Sequence, residues 1–248
     1  MAKNILITGA SSGLGEGMAR LFAAGGNNLA LCARRVERLE SLREELLQKN
    51  PGIRVEIKSL DVMDYDQVFE VFRAFHTELG SLDRVIVNAG MGKGQPLGTG
   101  YFWANRQTAE TNFVAALAQC EAAMEIFRAR NSGHLVMISS MSAMRGMPKN
   151  LTTYAATKAG VAALAEGLRS EMLGKPIKIS TIYPGYIRSE INEKVKSTPF
   201  MVDTETGCKA LVKAIESEKP TASVPAWPWV AVGFLMRNLP LSLVKKLG

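Results

Sequence analysis

Histidine is scarce in this chain: His76 and His134 are the only two among 248 residues. A Ser–Asp–His hydrolase needs a histidine base, and a histidine-rich metal site needs several. Cysteine is nearly as sparse. Cys32, Cys120 and Cys208 are odd in number, far apart and without metal-ligand spacing. That argues for reduced thiols and against a disulfide framework, and no metal site is expected. No long basic block interleaved with aromatics occurs, so the formal net charge of +7 does not read as a nucleic-acid footprint. An anionic cofactor or an anionic membrane remains. The longest apolar run, Val224 to Met236, is interrupted by Pro225 and Pro228 and falls short of the roughly 20 residues of a spanning helix. The first apolar run, Asn4-Ile5-Leu6-Ile7, directly follows Met1-Ala2-Lys3. This leaves no room for a secretory leader, and a cytoplasmic location is expected.

What is present suits a protein with a large core: 47% of residues are hydrophobic and 21% charged. Short β-branched runs alternate with segments of helical period. Strands are expected at 4–8, 28–33, 54–59, 84–88, 134–139, 178–183 and 222–225. Helices are expected at 13–24, 36–49, 65–79, 103–130, 153–173 and 206–217. The strands are apolar throughout rather than alternating, which implies a sheet covered on both faces. Strand–helix alternation then predicts an α/β fold with a doubly wound parallel sheet of about seven strands in three layers. No repeat, low-complexity tract or separating linker is found, so residues 1–248 are expected to form a single domain.

Between the first strand and first helix lies Thr8-Gly9-Ala10-Ser11-Ser12-Gly13-Leu14-Gly15. Glycines there let a pyrophosphate approach the amides at a helix N-terminus, where the dipole favours anions. The same residues spell G-x-S-x-G around Ser11, the nucleophile elbow of α/β-hydrolases. That reading fails on histidine: none follows His134, and an elbow on the first strand leaves no earlier sheet for an oxyanion loop. At the end of strand two, Arg34 and Arg35 stand where an NAD-binding protein usually has a carboxylate. Two guanidiniums favour a 2′-phosphate, hence NADPH over NADH. Asp61, followed by Val62, suits either an adenine edge or the cap of the helix near Asp64.

Strand four runs into Asn88-Ala89-Gly90 and the glycine-rich 91–94, which can lie along a cofactor or form a plain loop. Asn112 sits inside a helical pattern just before Phe113, where an interior hydrogen bond or a solvent-facing amide would each account for it. Strand five ends in Ser139 and Ser140, at a position where ligands bind in such sheets. Tyr154 and Lys158 are four residues apart, about one helical turn, and share a face. An ammonium held there is expected to lower the phenol pKa from about 10 and make Tyr154 a proton donor or acceptor near neutral pH.

Taken together, Thr8-Gly9-x-x-x-Gly13-x-Gly15, Asn88-Ala89-Gly90, Asn112, Ser140, Tyr154-x-x-x-Lys158 and Pro184-Gly185 resemble the short-chain dehydrogenase/reductase family in its form of about 250 residues. The resemblance covers residues 4 to about 190. It implies a Rossmann-type fold, an NAD(P) cofactor and carbonyl/alcohol redox chemistry. It further implies Tyr154 as acid/base, Lys158 lowering its pKa and bonding the nicotinamide ribose, Ser140 donating to the substrate oxygen, and Asn112 holding a water in a proton relay. Cofactor contacts implied or read from position are Thr8, Gly9, Ser11, Ser12, Gly13, Leu14, Gly15, Arg34, Arg35, Asp61, Val62, Asn88, Ala89, Gly90, Pro184, Gly185 and Ile187. The interval from Ser140 to Tyr154 is one residue longer than usual in the family, so Ser139 and Ser142 remain alternatives for the serine role.

Downstream, the polar, irregular stretch near 186–206 with Pro199-Phe200-Met201 reads as a substrate lid or as a surface loop. The apolar tail, 224–248, has three readings: a pocket lining, a subunit contact, or an interfacial segment anchored by Trp227, Trp229, Arg237, Lys245 and Lys246. Pocket or subunit contact is favoured over membrane. A homodimer or homotetramer is expected from the long apolar helices. The expected activity is an NADP(H)-dependent interconversion of a small-molecule carbonyl and a secondary alcohol, the substrate apolar. The alternative is a cofactor-binding scaffold without turnover.

Overall fold

Both faces of every central strand are apolar because helices cover both, and the side chains sort accordingly. The computed structural model describes residues 2–92, 94–190 and 198–244. Its elements, in order, are β1 (Asn4–Thr8), α1 (Gly13–Ala24), β2 (Asn28–Ala33), α2 (Val36–Lys49), β3 (Val55–Ser59), α3 (Tyr65–Leu79), β4 (Arg84–Val87), α4 (Phe102–Ala109), α5 (Ala115–Arg130), β5 (Gly133–Ile138), α6 (Thr152–Glu171), β6 (Ile177–Pro184), α7 (Thr204–Glu216), β7 (Thr221–Val224), α8 (Ala226–Asn238) and α9 (Leu241–Val244). The strands form one parallel sheet in the order β3-β2-β1-β4-β5-β6-β7.

Alternation does the sorting. Ile5 and Ile7 of β1 pack with Phe22, Leu29, Leu31 and Leu39 on the face covered by α1, α2 and α7. Leu6, between them, packs with Phe72, Phe75, Val85 and Phe127 on the face covered by α3, α5 and α6. The register places Leu6 beside Ala30 and Ile5 beside Leu29, so neighbouring strands present the same phase to each layer. Sequence order reverses on either side of β1, with β2 on one flank and β4 on the other. The crevice beyond the carboxyl ends of β1 and β4 is therefore the place for a ligand.

One helix differs from the sequence expectation, and the tail is helical only in part. The helix expected over 103–130 is α4 and α5 joined by a π-helical turn, Glu110–Val114. The widened turn accompanies Asn112, whose amide bonds the main chain of Met91 at both ends instead of facing solvent. The tail forms α8, and the break expected at its prolines is present at Trp227, directly before Pro228, where φ is −98° and ψ 135°. Pro225 and Pro228 fall at its start, where a missing N–H costs nothing.

At the amino ends of the strands a buried polar network fastens α7 to the sheet. Arg84, with a side chain 0% exposed, pairs with Glu216 and with Glu218, the latter at 3.2 Å. Its Nε donates to His134 Nδ1 at 2.9 Å. The opposite ring nitrogen is therefore left to donate to Ser180 Oγ at 2.8 Å, and that hydroxyl donates on to the Lys219 carbonyl at 2.7 Å. Burial, with Arg84 beside it, depresses the His134 pKa to about 3, so the imidazole is neutral.

Candidate active site

The carboxyl ends of β1 and β4 are tied together through one hydroxyl. Thr8 is fully buried, and its Oγ1 accepts from the amides of Asn88 at 3.0 Å and Ala89 at 3.1 Å. Asn88 Nδ2 returns the bond to the Thr8 carbonyl at 2.9 Å. This junction fixes the glycine turn against the next loop. Gly9 has φ +66° and Gly13 +56°, conformations that side chains resist. A Cβ at Gly9 would come within 2.9 Å of Ala89 Cα, and one at Gly15 would lie 2.8 Å from Asn88 Nδ2. The turn is thus a backbone cradle at the N-terminus of α1, with a shape that depends on missing side chains. Such a cradle fits a pyrophosphate, so the residues present suit a dinucleotide.

Arg34 and Arg35 diverge. Arg35 folds over the cradle, its Nη2 donating to Ser12 Oγ at 2.6 Å and its Nε to Ser11 Oγ at 3.3 Å. Arg34 points outward and lies 4.0 Å from Asp61. Of the two readings for Asp61, the cap of α3 belongs instead to Asp64, whose carboxylate accepts from Gln67 N at 3.1 Å. Asp61 closes a local turn onto Met63 N. Val62 and Ile187 are buried in the core, so any ligand contact from them comes from the main chain. Leu14 packs partly buried against the same layer as Ile187.

Two residues that sequence reasoning missed complete this corner. Glu190, on the segment after β6, reaches across the turn to Arg35 at 3.1 Å and to Arg38 of α2 at 2.6 Å. The hydrogen bonds from Arg38 and Arg35 hold the Glu190 pKa down to about 2. Arg38 lies three residues beyond Arg35 on a charged helix. Only the folded position of Glu190, 152 residues away along the chain, marks it.

On the other side of the crevice, α6 delivers Tyr154 and Lys158. Lys158 is buried, its Nζ donating to the Ile138 carbonyl at 2.9 Å and lying 6.0 Å from the Tyr154 ring centre. Desolvation lowers its pKa to about 8. The expected depression of the Tyr154 pKa is not what this arrangement produces. Burial raises it; the Ser140 hydroxyl, hydrogen-bonded to the phenol, pulls the other way, and Tyr186 adds a further rise. The ammonium is turned to a carbonyl and is itself desolvated, so it does not supply the expected stabilisation of a phenolate.

Among the three serines, Ser139 is spent: it is buried and its Oγ donates to the Lys158 carbonyl at 2.7 Å. Ser140 faces Tyr154 and accepts from Ser142 N at 3.1 Å, opening a 3-10 turn at Met141–Met144. A second such turn, Lys149–Leu151, takes up the rest of the lengthened interval, with Lys149 at φ +58°. Asn112 stands behind the pair. Its Oδ1 accepts from Met91 N and its Nδ2 donates to Met91 O, both at 2.8 Å. A Cβ at Gly90 would lie 3.2 Å from that Oδ1, a tight contact, and 3.5 Å from Lys158 Nζ, so both groups border the Gly90 backbone. Asn105, also missed, ties the loop to α6 by accepting from Gln95 N and from Thr153 Oγ1.

The far wall is apolar. Trp229 packs edge-on against Tyr186, ring centres 5.4 Å apart, and against Phe200 at 6.2 Å. Met141 and Met144 pack with Trp229 and Tyr186, and Met144 also joins the adjoining cluster of Met147 and Met236. A Cβ at Gly185, after Pro184, would overlap the Trp229 indole. Of the lid segment, 186–190 and 198–206 are described, and Ile187 bridges to Val202. The lid's 191–197, together with Lys93, Lys245 and Lys246, lie outside the described residues.

Comparison with known proteins agrees with this geometry. The family model described as short chain dehydrogenase matches residues 3–199. An uncharacterized oxidoreductase of Mycobacterium tuberculosis is 53% identical over 98% of this chain and 96% of its own length. A short-chain dehydrogenase from Sphingobium yanoikuyae, solved in complex with NADPH, superposes with a TM-score of 0.82 at 25% identity, covering 99% of this chain and 96% of that one. One from Burkholderia phymatum in complex with NAD gives 0.84 at 20% identity over 98% and 95%, a likeness of fold.

Proposed function

The chain belongs to the short-chain dehydrogenase/reductase family, an NAD(P)-dependent oxidoreductase, and from that premise we propose that it interconverts a carbonyl and a secondary alcohol on an apolar substrate, preferring NADP(H). The observation that carries the reading is the meeting of Ser140 and Tyr154 hydroxyls in front of Lys158, across the crevice from the glycine cradle. The cradle of Gly9, Gly13 and Gly15 would hold the pyrophosphate, with Thr8, Asn88, Ala89 and Gly90 along its edge and Pro184 and Gly185 at the far end. Arg34 and Arg35, with Ser11 and Ser12, would receive a 2′-phosphate, and Asp61 the adenosine edge. A bound nicotinamide dinucleotide supplies hydride transfer.

The protein's own part is a proton and a polar cradle. In reduction Tyr154 gives its hydroxyl proton to the carbonyl oxygen, while Ser140 donates a hydrogen bond to the same oxygen and stabilises the charge it gains. A raised phenol pKa suits this direction, because the proton is retained until an oxyanion develops. Oxidation needs the phenolate. A cation near the ring would lower its cost, and Lys158, with its pKa near 8 and its Nζ 6.0 Å from the ring centre, would supply one only if that Nζ turned from the Ile138 carbonyl to the phenol. Asn112 holds the Met91 main chain beside Lys158 and is placed to carry a water. Met141, Met144, Tyr186 and Trp229 favour an apolar substrate. We also assign residues 1–248 to one domain with its lid at 186–206, a homo-oligomer and a cytoplasmic location.

Turnover of a panel of ketones with NADPH, beside Tyr154→Phe, tests the proposal. General acid catalysis predicts a loss of about 10²–10⁴-fold in kcat with cofactor affinity kept. Unchanged kcat in the variant refutes Tyr154 as the acid. Tight cofactor binding by the native protein with no turnover on any substrate would favour the scaffold.

A further inference from the structure

The helix α8 is apolar on both its sides. Its inner side, Trp229, Gly233 and Met236, is buried against the Met141–Met144 turn and its neighbours. Its outer side carries Val230 at 60% exposure and Phe234 at 68%, one turn apart on the same face, and Trp227, at 79%, stands exposed at the kink that opens the helix; Leu241 and Leu243 are exposed on α9. A helix apolar all round is one that is covered all round, and an exposed patch of this kind marks a contact surface.

Charge identifies the cover. From Lys219 to Gly248 the sequence contains Lys219, Arg237, Lys245 and Lys246 and no Asp or Glu. Arg145 joins the end of α8, its Nη1 donating to the Arg237 carbonyl at 3.0 Å. Among the described residues neither guanidinium has a carboxylate within ion-pair distance, whereas Arg20, Arg54, Arg106 and Arg128 each do. A second copy docked here by two-fold symmetry would bring this acid-free segment against itself. An anionic surface would meet complementary charge.

We propose that α8 is an interfacial anchor that lies along an anionic lipid surface, with Trp227, Val230 and Phe234 inserted among the headgroups and Arg145 and Arg237 at their level. No helix among the described residues is long and apolar enough to cross a membrane, so the contact is one of lying on the surface. It reverses the preference drawn from sequence, because the fold splits the two tryptophans: Trp229 goes inward to Tyr186, and Trp227 outward.

The test is sedimentation of the full-length protein with vesicles of phosphatidylcholine alone and of phosphatidylcholine mixed with phosphatidylglycerol. Co-sedimentation with the anionic vesicles, a blue shift of tryptophan emission on mixing, and weakening by salt are expected. Phe234→Ser should lower partitioning about ten-fold. Arg145→Gln with Arg237→Gln should remove the preference for anionic lipid, and Phe102→Ser, on α4, should change nothing. Melting temperature and cofactor binding report whether each variant is folded, and the emission shift of the native protein needs no variant. No binding to anionic vesicles overturns the proposal. So does equal partitioning of folded Phe234→Ser, or a change of oligomeric state in that variant with no lipid binding by the native protein, which would make the face a contact between copies.

Discussion

Glu190 competes for Arg35, one of the two guanidiniums assigned to a 2′-phosphate, and removing its charge measures that competition. Its carboxylate is 3.1 Å from Arg35, and both side chains are about half exposed, at 48% and 39%. An exposed pair of this kind is worth about 0.2–1 kcal/mol. Glu190→Gln keeps the shape and loses the charge, so the Kd for NADPH should fall about 1.4- to 5-fold. NADH, without the phosphate, has nothing to displace, and its Kd should stay unchanged. Arg35→Ala should act in the opposite sense. It removes charge-assisted bonds of about 1.5–3 kcal/mol, which solvent screening reduces to about 1–2, or roughly 5- to 30-fold in Kd for NADPH alone.

The pH dependence follows from the sign of the shift. A carboxylate with its folded pKa lowered to about 2 contributes its pairing above its ordinary pKa and loses it only as pH falls toward the lowered value. Glu190 should therefore stay ionised from about pH 5 to 8, so a pH trend in NADPH affinity over that window comes from the 2′-phosphate, with its second pKa of about 6, and the competition should weaken with salt. Fluorescence titration of both variants with both coenzymes, at two ionic strengths, decides the matter. Equal effects of Glu190→Gln on NADH and NADPH, or weaker NADPH binding, would refute the reasoning.

Two further outcomes follow from packing and charge. The His134 pKa is about 3 in the folded protein against an ordinary 6.5, so the unfolded chain binds a proton that the folded one refuses as pH drops below about 6.5. Stability should fall by about 1.4 kcal/mol per pH unit from this group between about pH 6 and 4. Urea unfolding of His134→Gln should show a shallower dependence, and an unchanged slope counts against a buried neutral imidazole. Gly185→Ala should force the Trp229 indole aside, lowering stability by about 1–3 kcal/mol and changing tryptophan emission, whereas native-like emission and melting would contradict the close packing.

Much of this molecule is legible along the chain because its signals are local. The run Asn4–Thr8 and the segment Gly13–Ala24 are found at the residues expected, since strand apolarity, glycine spacing and helical period are set by near neighbours. The motifs that resemble the family are ordered along the chain, so membership was readable before any coordinate. Distance and burial were not. That Ser139 is spent on α6 while Ser140 meets Tyr154 depends on the pitch of a strand end against a helix. That the Tyr154 pKa rises rather than falls depends on how much water reaches the phenol and where the ammonium points, quantities no spacing encodes. The break before Pro228 was legible because prolines disfavour helix interiors, but that Trp229 and Met236 turn inward while Trp227 stays exposed was decided by tertiary packing. Composition settled what this chain is made to bury; only the fold decided which charges, hydroxyls and rings face one another, because those contacts join residues that the sequence keeps far apart.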